Sequence, residues 1–441
     1  MKKENILIYG LGITGISTVK ALNDLNFNIY TYDSRKVNID ELEGYDYSPI
    51  SDFDDIFNRR YKYVVKSPGI KLNDPIYKKL IEKYEVISDI ELSYRLFKDK
   101  NIISITGTNG KTTTTSMINF ILNESGINSV SVGNIGEGIL YQMRKDYDVY
   151  VEELSSFQLH ETNKYKTPIA IILNITADHL DWHGDFKNYY ESKLKIIKNQ
   201  TEDDIFIKNH DDPLLKDVKS KAKTYEFSCL KEVKRGMFLK DNYLYLKTEN
   251  NLKKYISVDE LKIVGKHNYM NAMAAILALR SYGLDDNKII KNIKNFRPVK
   301  HRLEFVKQIN DVRFFNDSKA TNVDSAIKAL DAFKENVILI AGGYDKKVDL
   351  EEFVKKASEN TKLMILFGQT QKILQQLCKK YSIDYILVKN MNEAIKVVKS
   401  KMKPKDIVLL SPACASWGMY DNFEQRGNDF IKEVDKMMEE K

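Results

Sequence analysis

The sequence predicts an α/β protein of three domains built on mostly parallel sheets. Three observations carry this expectation. The chain has 441 residues, about three times the ~150 typical of one domain. Short β-branched runs alternate with helical patterns from end to end, as strand–helix–strand units do. Two glycine turns, Gly10-x-Gly12-x-x-Gly15 and residues 107–112, each join an apolar run to a helical pattern.

Residues 1–95 form the first expected domain. Its strands are "NILIYG" (5–10), "NIYTYD" (28–33) and "KYVVKSPG" (62–69), and it closes near the amphipathic "SDIELSYRLFK". The glycine turn after the first strand makes this domain Rossmann-like, with a helix N-terminus aimed at a diphosphate. Asp33 lies 18 residues beyond Gly15, where an NAD enzyme would place its ribose-binding acid. The turn alone therefore reports a diphosphate and not whose it is.

Residues 96–296 form the second. It opens with "NIISITGTNGKTTTTSMINFIL" and continues through "YVEELSS" and "IAIILNITADH". A small antiparallel part follows at "MFLKDNYLYLK", whose Asp241-Asn242 is a hairpin signal. The helical "HNYMNAMAAILALRSYG" ends at Gly283, an expected C-cap. "FRPVKHR" (296–302) carries Pro298 and little periodicity, which marks a linker. Residues 297–441 form a second Rossmann-like domain with strands "VRFFNDS", "NVILIAGG", "LMILFG", "YILVKN" and "DIVLLSPA".

Composition excludes several classes of function. The formal charge of +7 comes from 69 basic and 62 acidic residues spread along the chain, so no nucleic-acid face is expected. Three cysteines without a C-x-x-C pair argue against a disulfide framework or a zinc site and suit a reducing cytoplasm. No apolar run approaches the ~18–20 residues that span a bilayer, so no membrane partner is expected.

The chemistry concentrates in the second domain. Gly107-Thr108-Asn109-Gly110-Lys111-Thr112, followed by Thr113, lets backbone amides converge on phosphate oxygens at a helix N-terminus. Lys111 adds charge, and the Thr112 hydroxyl suits Mg²⁺. Position 105 is Ile where the usual motif has its first glycine, so the loop is a shortened P-loop. Glu152 and Glu153 end an apolar strand, and Asp178-His179-x-Asp181-x-His183 follows another; either segment could supply cation ligands.

Taken with these, "GNIG" (133–136), "ELSSFQL", "NITADHLDWHG", "GKHNYMNAMAA", "HRLE", "NDSKATN", "AGGYDK", "SPACASW" and "NFEQRGNDF" resemble the Mur ligases, in order, from Gly10 to Phe430. The resemblance implies a cytoplasmic three-domain enzyme, expected to act as a monomer. It would use ATP to join UDP-N-acetylmuramoyl-L-alanine to D-glutamate through an acyl phosphate.

The same resemblance distributes roles. Lys111 would hold the β/γ phosphates, Thr112 and Glu153 one Mg²⁺, and His179 a second beside a carbamylated Lys193. Asn268, Asn271, Arg302, Asp317 and Lys319 would complete the ATP site, with residues 296–302 as a hinge. Ile13, Thr14, Asp33, Ser34, Arg35, Ser67, Pro68, Gly69 and Asn134 would hold the UDP substrate. Thr321, Lys346, Ser416 and Phe423 would form the D-glutamate pocket, where Trp417 replaces an expected smaller aliphatic residue. The absence of an Asp-Asn-Pro-Arg box favours glutamate over a diamino acid.

Three other readings compete. A folylpolyglutamate synthetase shares the loop but not the N-terminal domain or "NFEQRG". A P-loop switch would not need the polar cluster of the third domain. An NAD-dependent dehydrogenase would explain only the first glycine turn.

Overall fold

The computed structural model describes residues 3–439 apart from 36, 38, 135–137, 298, 299 and 347. Residues 298 and 299 of the expected hinge, part of "GNIG" and the Asp181 side chain therefore lie outside the described residues. The chain divides into two compact units. One holds residues 1–261 and 269–296, and the other residues 262–268 and 297–441.

The first unit carries two sheets. In the N-terminal one, five parallel strands lie in the order Ser48–Pro49, Phe27–Tyr32, Glu4–Tyr9, Tyr63–Lys66 and Val86–Ile87. The order reverses between Glu4–Tyr9 and Tyr63–Lys66, and ligands sit outside the C-terminal ends of strands at such a switch point. The first glycine turn and residues 67–69 emerge there. Gly15 permits the turn's tight return, since a Cβ on it would lie 2.0 Å from the Gly10 carbonyl oxygen.

The second sheet runs Ser129–Gly133, Val149–Glu153, Ile102–Thr106, Ile169–Ile172, Ile205–Asn209, Lys223–Ser228 and Gly236–Lys240, all parallel. Two antiparallel strands, Tyr243–Lys247 and Leu252–Ser257, extend it. The expected hairpin is present, with Asp241 at φ 47° and Asn242 at φ 58°, the left-handed pair a two-residue turn requires. Gly283, at φ 103°, ends the helix Lys266–Tyr282 as expected, and Leu284 donates back to the Leu279 carbonyl. Parallel register sets Ile105 beside Glu153 and Thr106 beside Ile172, so the loop after Thr106 opens between two other strand ends.

The second unit holds a six-stranded sheet in the order Glu304–Ile309, Val312–Asn316, Ile407–Leu410, Val337–Gly342, Thr361–Phe367 and Tyr385–Leu387. Every pair is parallel except the first, an antiparallel edge the periodicity did not announce. Its two faces bury separate apolar clusters, one around Leu339 and Phe353, the other around Ile340 and Phe430. Among the described residues no helix is long and apolar enough to cross a membrane.

Candidate active site

The nine residues expected at the UDP substrate line one cavity of about 860 Å³ at the switch point of the N-terminal sheet. Gln158 joins them there, held by a capping box with Ser155 at the start of the helix Ser156–His160. Asp33 is committed to the chain itself: its oxygens accept from the amides of Leu11, at 2.8 Å, and Arg35, at 2.9 Å. Burial pushes its carboxyl up, but these bonds and the Arg35 guanidinium outweigh burial and hold it below its ordinary value. The carboxylate thus shapes the glycine turn and pairs with the largely exposed Arg35 guanidinium at 3.3 Å.

Asn134 ties this cavity to the end of the strand Val149–Glu153. Its amide nitrogen donates to Glu153 Oε1 at 3.0 Å. The other oxygen, Oε2, is buried with no hydrogen-bond partner among the described residues. An orphaned carboxylate oxygen at a strand end is a fitting ligand for a hard cation. Among the described residues no three His, Cys, Asp or Glu side chains cluster as a metal cage, so hydroxyl, phosphate and water oxygens would have to complete a Mg²⁺ shell.

The loop is braced from below. Asn109 exchanges two hydrogen bonds with the Asn174 side chain, at 2.8 and 2.9 Å, and Thr108 donates its amide to the Asn174 carbonyl at 2.9 Å. Gly110 is left-handed, at φ 86°, and caps the helix Lys111–Glu124. A Cβ there would come within 2.4 Å of Asn271 Oδ1. Lys111 Nζ donates to the carbonyls of Gly107, at 2.8 Å, and Thr108, at 2.9 Å, closing the loop on itself. Thr112 and Thr113 occupy the next two positions of the helix.

Lys193 meets the same loop from the helix Phe186–Leu194, donating to Gly107 O at 2.8 Å. It is 2% exposed. Burial first, and then the charge of Lys111, push its amine well below the ordinary lysine value, while Asp178 and Glu153 act in the opposite sense. His179 stands at φ 52° just before the short helix Leu180–His183, its imidazole 3.5 Å from Asp178 and 4.8 Å from the ring centre of Phe157.

The second unit gathers its own set at the C-terminal ends of its strands. Asp317 follows Asn316 and accepts from Ser411 Oγ at 2.8 Å and the Leu303 amide at 3.0 Å. Burial pushes its carboxyl up to about 7. Arg302 lies within Coulombic reach of it. Lys319 Nζ sits 5.4 Å over the Phe423 ring, and Thr321 donates its amide to the Lys319 carbonyl. A bridge between Tyr344 and Ala415 sets Lys346 and Ser416 on adjoining loops. Trp417, 53% exposed, stands edge-on to Tyr344 with Lys346 Nζ 5.4 Å over its ring. Asn268, buried on the helix Lys266–Tyr282, donates to the Val264 carbonyl at 2.9 Å.

Three supporting residues escaped the sequence reading. Arg426, fully buried, donates to Cys414 O, Ser318 Oγ and Ser318 O at 2.7–3.0 Å, clamping the loops that carry Lys319 and Ser416. It stands inside the quoted "NFEQRGNDF" but had no assigned role. Lys66 and Trp182 brace residues 67–69; the one signal for Lys66 was a charge ending the apolar run "YVVK".

Three family models match this chain. The model described as Mur ligase MurD-like, N-terminal domain, matches residues 4–88. Mur ligase middle domain matches residues 105–279, and Mur ligase, glutamate ligase domain, matches residues 301–414. The UDP-N-acetylmuramoylalanine--D-glutamate ligase of Thermoanaerobacter sp. (strain X514) is 39% identical over 448 residues, covering 98% of each chain. That of Clostridioides difficile (strain 630) is 38% identical over 457 residues and 99% of each.

Two solved structures share the fold. A UDP-N-acetylmuramate-alanine ligase of Thermotoga maritima has a TM-score of 0.60 at 19% identity, covering 98% of this chain and 100% of its own. A pseudomurein peptide ligase type C of Methanothermus fervidus scores 0.61 at 20% identity with the same coverage. With three domain models matched in chain order and relatives 38–39% identical along nearly its whole length, the chain belongs to the Mur ligase family.

Proposed function

We propose that this chain is an ATP-dependent ligase that joins D-glutamate to the alanine carboxylate of UDP-N-acetylmuramoyl-L-alanine, as a cytoplasmic monomer in peptidoglycan precursor synthesis. The observation that carries the reading is alignment over 98–99% of the chain with relatives bearing that activity in their names.

A carboxylate is a poor electrophile because its leaving group would be oxide. Phosphorylation replaces that group with phosphate. The amides of residues 107–112 and the Lys111 ammonium hold the β and γ phosphates, and the alanine carboxylate attacks the γ-phosphorus, releasing ADP. The D-glutamate amine then attacks the acyl carbon; the carbon–oxygen bond to phosphate breaks, phosphate leaves and the amine sheds a proton. Exclusion of water protects the acyl phosphate between these steps.

Thr112 and Glu153 would hold one Mg²⁺, and His179 with carbamylated Lys193 a second, supplying Lewis-acid neutralisation of phosphate charge. The buried, neutral-biased Lys193 amine supports that modification, because only a neutral amine adds carbon dioxide. Asn268, Asn271, Arg302, Asp317 and Lys319 would bind the rest of the nucleotide. Thr321, Lys346, Ser416 and Phe423 would receive D-glutamate, whose two carboxylates suit a cation with hydroxyls.

A phosphate-release assay over an acceptor panel tests the assignment. Release should require both UDP-N-acetylmuramoyl-L-alanine and D-glutamate. Equal turnover with L-lysine or diaminopimelate would overturn it.

A further inference from the structure

The turn that lines the substrate cavity at residues 67–69 does not stand alone. Trp182, 6% exposed, donates its indole N–H to the Pro68 carbonyl at 3.0 Å. That bond crosses 114 positions of sequence, from the second sheet's domain to the first. Beneath the same turn, Lys66 Nζ donates to the carbonyls of Ile70, at 2.9 Å, and Ser67, at 3.4 Å, and lies 4.9 Å from the Trp182 ring centre. The indole therefore closes over a turn already pinned at both ends.

Its other side meets the rings packed around His179. Trp182 packs at 4.7 Å on Phe157, and Phe157 meets the His179 imidazole edge-on at 4.8 Å. Trp182 also contacts His183 at 4.5 Å, whose Nε2 pairs with Ser156 Oγ at 2.9 Å. His183 touches Tyr189, and the Tyr189 hydroxyl pairs with Thr108 Oγ1 at 2.8 Å in the phosphate loop. His179 itself holds a left-handed backbone, at φ 52°, an uncommon conformation for a residue other than glycine. A single buried ring thus touches the substrate turn on one side and the packing that orients His179 on the other.

We infer that Trp182 is a positioning residue that couples the two sites, so that a uridine-diphosphate substrate on residues 67–69 and a divalent cation at His179 each tighten the other's binding. The inference rests on the reading of His179 as a cation ligand. The Trp182–Pro68 hydrogen bond fixes the height of the short helix Leu180–His183 over the turn, and the rings carry that position to the imidazole. Coupling of this kind is reciprocal: the factor by which substrate improves cation binding equals the factor by which cation improves substrate binding.

The test measures Mn²⁺ binding by electron paramagnetic resonance with and without UDP-N-acetylmuramoyl-L-alanine, and substrate binding by calorimetry with and without Mn²⁺. In the unaltered protein each ligand should tighten the other within the range of about 5–150-fold that such coupling spans. Trp182→Phe keeps an aromatic ring but removes the N–H. It should leave each ligand's separate affinity within about threefold and bring the coupling factor toward one.

A merely structural tryptophan would lower both separate affinities and leave the coupling factor unchanged. Coupling at the unaltered level in folded Trp182→Phe, or no coupling in the unaltered protein, overturns the inference. His179→Ala separates the two readings: unchanged Mn²⁺ affinity there removes the assignment of His179, whatever Trp182 does.

Discussion

Lys193 Nζ donates to the carbonyl of Gly107 at 2.8 Å, joining a buried lysine to the first residue of the phosphate loop from 86 positions away. A buried amine with this partner is an expensive feature for a structural role alone, because burial disfavours its charged form. Lys193→Ala should lower turnover by at least about 100-fold, as removal of a group that stabilises transferring charge does. Short-chain carboxylic acids added to the variant should restore part of the rate, since they return an anionic oxygen ligand. Unchanged turnover in a steady-state assay would remove Lys193 from the site.

Lys66 supplies a pH dependence. Burial lowers its amine to about 8, while Glu161 and Asp74 pull in the opposite sense. The folded state therefore holds the proton less tightly than the unfolded chain does, so stability is lowest below about pH 8 and is regained as pH rises toward the ordinary lysine value. Denaturant unfolding should show stability rising between about pH 8 and about pH 10, and Lys66→Met should lose that rise. An identical rise in both proteins would contradict the burial of a lowered amine at this position.

The glycine turn separates folding from binding. A Cβ on Gly15 would lie 2.0 Å from Gly10 O, whereas one on Gly12 meets nothing within 4 Å. Gly15→Ala should destabilise the first unit by at least about 1–3 kcal/mol, the cost of overpacking. Gly12→Ala should keep the melting temperature and weaken UDP-substrate binding, since its open space belongs to the cavity. Equal melting temperatures for the two variants would be the contrary result.

Glu91 makes a stability prediction away from the chemistry. Fully buried, it accepts from the amides of Asn163, Lys164 and Tyr165 at 2.8–3.0 Å and from Arg95 Nε at 2.7 Å. Glu91→Ala strands all of these donors and should cost about 3–5 kcal/mol in denaturant unfolding. A loss under about 1 kcal/mol would mean that water replaces the carboxylate.

The elements readable in the sequence were those whose meaning is local. Gly10, Gly12 and Gly15 lie within one turn, residues 107–112 within one loop, and Asp241-Asn242 within one hairpin. Each declares its geometry through backbone freedom alone. Lys193 by contrast is one more lysine on a helix until the fold buries it against Gly107. Trp182, Lys66 and Arg426 acquire their roles from partners that chain proximity does not reveal. The edge strand Glu304–Ile309 escaped because its exposed and half-buried positions do not alternate cleanly. Glu153 was singled out as a carboxylate at a strand end, but its orphaned oxygen exists only once Asn134 has engaged the other one.

The path of one oxygen atom decides between phosphoryl transfer to the substrate and simple ATP hydrolysis. UDP-N-acetylmuramoyl-L-alanine carrying ¹⁸O in its alanine carboxylate, turned over with ATP and D-glutamate, should release phosphate bearing one ¹⁸O per amide formed, with no release when D-glutamate is omitted. Unlabelled phosphate alongside amide formation would contradict an acyl phosphate.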